Sequence, residues 1–313
     1  MINVLATVSL LVSNVLLSAY PVLIKLFVGQ VSVATQLLIR TAVYIGLTVP
    51  FLVGGGLGGP MLAALASAKY LAISAVNVLH IYTSYMGFTL LNAGTSLTTF
   101  YTYPILQVLL SWAFLHTRLT SSILQHLGGC LLGIATLNYN SYRTGAPSAS
   151  ITQGFGYIGL AALTEAIIGV FYKHDNLSNP FLSLFTLYAP MGLWVLVAAA
   201  LLYYYNNYDS KKKNNNNVPV LANNNKLNNN NNKNNIWTKV VLFNVLIGAV
   251  GYLLRLYALT HTSIEWFSGL LFTSSVSAFV LGWLFLKERI HTEHWVGTMI
   301  IFYNLYKMSL ETS

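Results

Sequence analysis

Long apolar runs separated by short polar turns recur along the whole chain. Their cores lie near residues 4–27, 33–53, 70–90, 95–114, 122–139, 154–172, 181–205, 238–259, 262–285 and 291–309. Most approach the ~20 residues that a helix needs to cross a bilayer. The runs lack strict apolar/polar alternation, and most are too long for barrel strands. Lipid offers no partner to bare backbone groups, so helices are the expected form. The pattern predicts an all-α integral membrane protein with about ten transmembrane helices.

One unit occurs twice. The run from Thr262 to Phe285 closes with Leu286-Lys287-Glu288-Arg289-Ile290, and the run from Thr95 to Phe114 closes with Leu115-His116-Thr117-Arg118-Leu119. Both read Phe-Leu-x-x-Arg-[Leu/Ile], about 170 residues apart, and such spacing suggests a duplication. The expected division is a first five-helix repeat at 1–140, a connecting loop at 141–153 and a second five-helix repeat at 154–309. With an odd number of spans per half, the second half enters the membrane from the opposite side, so the repeats are inverted. The Asn/Lys-rich stretch at about 206–235 cannot bury a core and is expected to be a disordered insertion. Gly54 to Pro60 has no Gly-Lys-Ser/Thr after it, so it is expected to be a flexible surface turn rather than a phosphate cradle.

Composition removes whole classes of function. Charged residues are 7% and hydrophobic residues 55% of the chain, whereas a soluble domain carries about 25% charged residues. The net charge of +9 owes much to the Asn/Lys tract, and the basic residues do not interleave with aromatics as on a nucleic-acid surface. Cys130 is the only cysteine, so no intramolecular disulfide is available. No basic segment precedes the first apolar run, which reads as a retained span rather than a cleaved signal. His291 and His294 lack a nearby third ligand, and no nucleophile-base pair or cofactor motif is visible; neither metal nor cofactor is expected.

Ionisable residues inside a span are costly and tend to face a cavity or a partner. Lys25 near the end of the first run either snorkels to the interface or meets solute. Arg40 lies about 10 Å into the second run at 1.5 Å per residue, as a structural group or a solute contact. Arg255 and Glu265 flank the turn between the eighth and ninth runs and are expected to form an ion pair. Asn77, His80 and Ser84 share one helical face. Thr95, Thr98 and Thr102, with Tyr101 and Tyr103 alongside, form a polar face in the fourth run that either glues helices or lines a path. His80 and Glu165 each sit roughly 15 Å deep, near the bilayer centre, one from each half. Solute-binding candidates are therefore His80, Glu165, Arg40, Lys25, Asn77, Tyr101, Arg255 and Glu265.

The chain resembles the drug/metabolite transporter superfamily, in particular its ten-helix members built from two EamA-type repeats. The resemblance rests on Ile24-Lys25 and Arg40 in the first half, Tyr172-Lys173 in the second, Pro104, and Glu288-Arg289 followed by Gly297. Tyr188 stands where the second half of the family pattern has an arginine, Thr117 where the first half has a glutamate, and Ser275 near a proline position. Nucleotide-sugar and triose-phosphate carriers are among the relatives this implies. The resemblance implies a multi-pass secondary transporter with cytoplasmic termini. Its partners would be the lipid bilayer, a small polar or charged organic solute, and a coupling proton or counter-substrate. The charges of Lys25, Arg40 and Arg255 tilt that solute toward an anion. Two other classes stay open: a membrane-embedded enzyme using His80 and Glu165, and a non-transporting scaffold.

Overall fold

The computed structural model describes residues 3–27, 31, 33–91, 93–137, 139, 149–177, 179–192, 194, 230–287 and 291–312. All regular structure among them is helical. The first half holds α1 (Val4–Ser18), α2 (Tyr20–Phe27), α3 (Val33–Gly54), α4 (Gly58–Leu65), α5 (Ala68–Leu90), α6 (Ala93–Phe100), α7 (Tyr103–Leu115) and α8 (Ser121–Leu137). The second holds α9 (Ala149–Asp175), α10 (180–192), α11 (Asn230–Leu242), α12 (Val250–His261), α13 (Ile264–Leu271), α14 (Thr273–Leu286) and α15 (Thr292–Thr312). A π-helical stretch, Phe243–Ala249, joins α11 to α12. Among the described residues, five segments are long and apolar enough to cross a membrane: Val4–Ile24, Thr35–Gly54, Thr152–Asp175, Ile236–His261 and Ile264–Phe285. α4 and α5 together make a sixth, bent by 72°. The protein is thus an all-α membrane protein.

Three runs that look continuous in sequence are broken in the structure. Pro21 opens α2 and Pro104 opens α7, where a missing N–H costs least. The break at Phe272, between α13 and α14, has no proline. Here α1 supplies the missing hydrogen bonds: Asn14 Nδ2 donates to Leu270 O at 2.9 Å, and Ser18 Oγ donates to Ser274 O at 2.9 Å. Carbonyls at an interrupted membrane helix are thereby satisfied by protein, as an apolar medium demands.

Two sequence expectations need correction. Gly54 to Pro60 is more than a turn, because Gly56 takes φ +72° and Gly58 already begins α4. The Asn-rich stretch is helical from Asn230 onward as the leading turns of α11; residues 206–229 lie outside the described residues, as do Glu288 and Arg289.

The helix pairs match when the halves are exchanged. α5 packs on α9 as α12 packs on α1, α7 packs on α9 as α14 packs on α1, and α8 packs on α15. Both Phe-Leu-x-x-Arg copies end a helix the same way: His116 (φ 53°) follows α7 and Lys287 (φ 55°) follows α14, each in the left-handed conformation. At the rim, Lys69 and Tyr70 at the start of α5 both bond Asp175 at the end of α9. Lys173 donates to Leu259 O and Thr262 O, capping the open carbonyls at the end of α12.

Gly133 lets the α8 and α15 backbones approach closely. A Cβ there would lie 2.8 Å from Gly297 O and 2.7 Å from Ile301 Cγ1. Because backbone cannot retreat as a side chain can, Gly133→Ala is expected to cost about 1–3 kcal/mol of stability. Thermal unfolding of the detergent-solubilised variant would show this as a lowered midpoint.

Candidate functional site

Four ionisable side chains from four helices converge at the centre of the bundle: Arg40 on α3, His80 on α5, Glu165 on α9 and Arg255 on α12. Their exposures are 3%, 5%, 5% and 7%. Burying such groups without partners would cost several kcal/mol each, so their contacts decide what the site does.

Glu165 is the hub. Its Oε1 lies 3.1 Å from Arg255 Nη1, and its Oε2 lies 3.2 Å from His80 Nε2. Tyr252 Oη donates to Oε2 at 3.4 Å. The His80 ring is fixed from its other side, where Nδ1 faces Ala161 O at 3.1 Å. A carbonyl only accepts, so Nδ1 carries a proton. Nε2 then faces a carboxylate oxygen at 3.2 Å, where a second proton makes a hydrogen bond between the two. The His80–Glu165 pair therefore shares one titratable proton, held on either partner.

Arg40 is held differently. Its Nε and Nη2 both donate to Tyr188 Oη, at 2.9 and 2.7 Å. Its guanidinium lies 4.9, 5.2, 5.5 and 5.3 Å from the ring centres of Tyr20, Tyr44, Tyr188 and Tyr252. Each such cation–π contact is worth ~0.5–2 kcal/mol. Among the described residues no carboxylate pairs with Arg40. The cage explains why a full charge survives there without a carboxylate in contact among the described residues.

Arg40, His80 and Arg255 line a small cavity. Arg40, His80, Tyr101, Tyr252 and Arg255 supply its polar side, while Leu17, Phe88, Leu97 and Phe100 supply an apolar wall. A concave, mostly apolar site with a few converging polar groups is the usual form of a small-molecule pocket.

Of the sequence candidates, His80, Arg40, Tyr101, Arg255 and Glu165 are brought together here. Asn77 is not; its Nδ2 points to Leu187 O and Met191 Sδ, each at 3.4 Å, and ties α5 to α10. Lys25 lies on α2, but its side chain is outside the described residues. The expected Arg255–Glu265 pair is replaced by Arg255–Glu165. Arg255 lies nearly two turns before the end of α12 and points into the bundle, whereas Glu265 sits in the first turn of α13, where its charge acts on Lys173. The tyrosine cage was missed. The 20 tyrosines of the chain gave a compositional signal, but not the four that meet around Arg40.

Residues 152–309, just over half of the chain, match the EamA-like transporter family. The chain belongs to this family. None of the curated proteins matches this EamA member. Among solved structures, one titled "Crystal structure of protein" has a TM-score of 0.69 at 14% identity, covering 98% of this chain and 98% of that one. That likeness shows a shared fold and carries no statement about solute.

Proposed function

We propose that this EamA-family protein is a secondary transporter of a small organic anion, working by alternating access between two inverted five-helix repeats. Supporting the repeats are the exchange-symmetric helix pairing, the two left-handed helix ends in the Phe-Leu-x-x-Arg copies, and the contact between Arg40 and Tyr188. Those two residues occupy the corresponding place in each half of the family pattern, and they meet at the centre. Transporters of this kind hold solute near the midplane, between their halves, where interrupted helices converge.

The observation that carries the reading is the charge balance at the cavity. Arg40 and Arg255 are permanently cationic. With its shared proton, the His80–Glu165 pair is neutral; without it, the pair carries one negative charge. In either state the site is net positive, and an anionic group is the natural occupant. The apolar wall suits a flat or branched carbon body. Protonation makes the site one unit more positive, so a proton and an anion favour each other's binding and would travel together. The groups facing Glu165 are His80 from α5 and Arg255 and Tyr252 from α12, with Arg40 on α3 acting through space.

The test is uptake into sealed vesicles holding the purified protein. Organic monocarboxylates should accumulate chemically unchanged, faster than matched amines or amides. Chemical conversion of the solute would instead favour an enzyme built on His80 and Glu165. The absence of both uptake and conversion would leave a scaffold.

A further inference from the structure

A second small cavity lies on the far side of Arg255. Arg255 and Tyr252 line both cavities, whereas Arg40 and His80 line only the first, and Tyr103, Gln107 and Glu165 only the second. The division falls at the interruption between α6 and α7: Leu97 and Phe100 of α6 face the first cavity, and Tyr103 and Gln107 of α7 face the second.

The second cavity holds a concentration of unmet hydrogen-bonding capacity. Tyr103 Oη, both Gln107 amide atoms and Arg255 Nη2 are buried with no hydrogen-bond partner among the described residues. Gln107 and Tyr103 are each 1% exposed. Tyr103 and Gln107 are four residues apart and so share one face of α7. Gly169 on α9 holds the place open, because a Cβ there would overlap the Gln107 amide. Buried polar atoms left unpaired are a net cost, and a fold that keeps several around one space has a use for them. Apolar side chains, Ile168, Leu256, Leu259 and Phe267, complete the wall.

The set leans toward donors. Arg255 Nη2, the Gln107 amide nitrogen and the Tyr103 hydroxyl can all give a proton to one acceptor-rich group, and Arg255 adds charge. We propose that this cavity is a second docking station for the carboxylate head of the transported solute, reached from the first cavity across Arg255. This rests on the transporter reading above. In it, Arg255 serves both stations, bound to Glu165 when the carboxylate is absent and released to the solute when Glu165 takes the shared proton.

The experiment uses the full chain in detergent and in vesicles, with benzoate, hexanoate, benzamide and benzylamine as probes. Gln107→Leu removes both unpaired amide atoms, Tyr103→Phe removes the hydroxyl, and Gly169→Ala keeps the amide but displaces it. Carboxylate affinity, read from ligand-induced shifts in the unfolding midpoint, should fall about tenfold or more in Gln107→Leu. It should fall less in Tyr103→Phe, and Gly169→Ala should weaken binding although no polar atom is lost. Unliganded Gln107→Leu should be at least as stable as the parent, since an unpaired amide is gone. If the parent binds and moves carboxylates and all three variants do the same, the second cavity is only a hydrated space and this inference fails while the transporter reading stands. Preference of the parent for benzamide or benzylamine would overturn the carboxylate assignment. A parent that binds and moves none of the probes would overturn both.

Discussion

Replacing Glu165 by Gln is expected to abolish solute accumulation while the protein still inserts in the membrane. The change leaves side-chain shape intact but removes the carboxylate that Arg255 and His80 share. Arg255 then keeps its charge with no carboxylate partner among the described residues, at a cost of about 3–5 kcal/mol. The unfolding midpoint should drop accordingly. Adding Arg255→Gln removes the stranded charge and should recover much of that stability, though not transport, because the permanent cation between the two cavities is gone. The pair of measurements forms a double-mutant cycle, and strictly additive stability losses would contradict the contact. Glu265→Gln serves as the contrast. Its effect on stability should be under about 1 kcal/mol, the range of exposed or partly exposed charges.

The second large effect is expected at Arg40. Arg40→Lys keeps the charge but cannot present two N–H groups to Tyr188 Oη at once, nor lie flat among four rings. Its compact ammonium is more strongly hydrated, so burial costs it more. Carboxylate affinity should fall roughly 10- to 100-fold, about 1.4–2.7 kcal/mol. Arg40→Leu should abolish binding, and the unfolding midpoint should fall as well, because Tyr188 Oη and the four rings lose the guanidinium they hold. Titrating either variant with benzoate and following its unfolding midpoint checks both statements. Parent-like affinity in Arg40→Leu would show that the guanidinium is structural.

Much of the fold was legible because the bilayer imposes a simple rule: a span must be apolar and helical. The interruptions were legible only in part. Pro21 and Pro104 signal two of them, but Phe272 does not, because that break depends on Asn14 and Ser18 more than 250 residues earlier in the chain. The site followed the same division. Depth alone put His80 and Glu165 together, since position along a span converts directly to height in the membrane. Rotation about the helix axis does not follow from depth, and it decided that Arg255 meets Glu165 rather than Glu265. The tyrosine cage and the Gln107 cavity depend on rotation as well, and residues as common as tyrosine and glutamine announce neither. Asn77 shares the His80 face by helical count, yet α10 packs over it and takes it out of the cavity.

The central claim is that the His80–Glu165 proton governs anion transport. The most direct measurement is initial uptake of a carboxylate into sealed vesicles between about pH 5 and about pH 8, for the parent, Glu165→Gln and His80→Gln. Protonation makes the site more positive, so parent uptake should rise as pH falls, whereas both variants should be inactive or indifferent to pH. Parent-like uptake by both variants across that whole range would contradict the account.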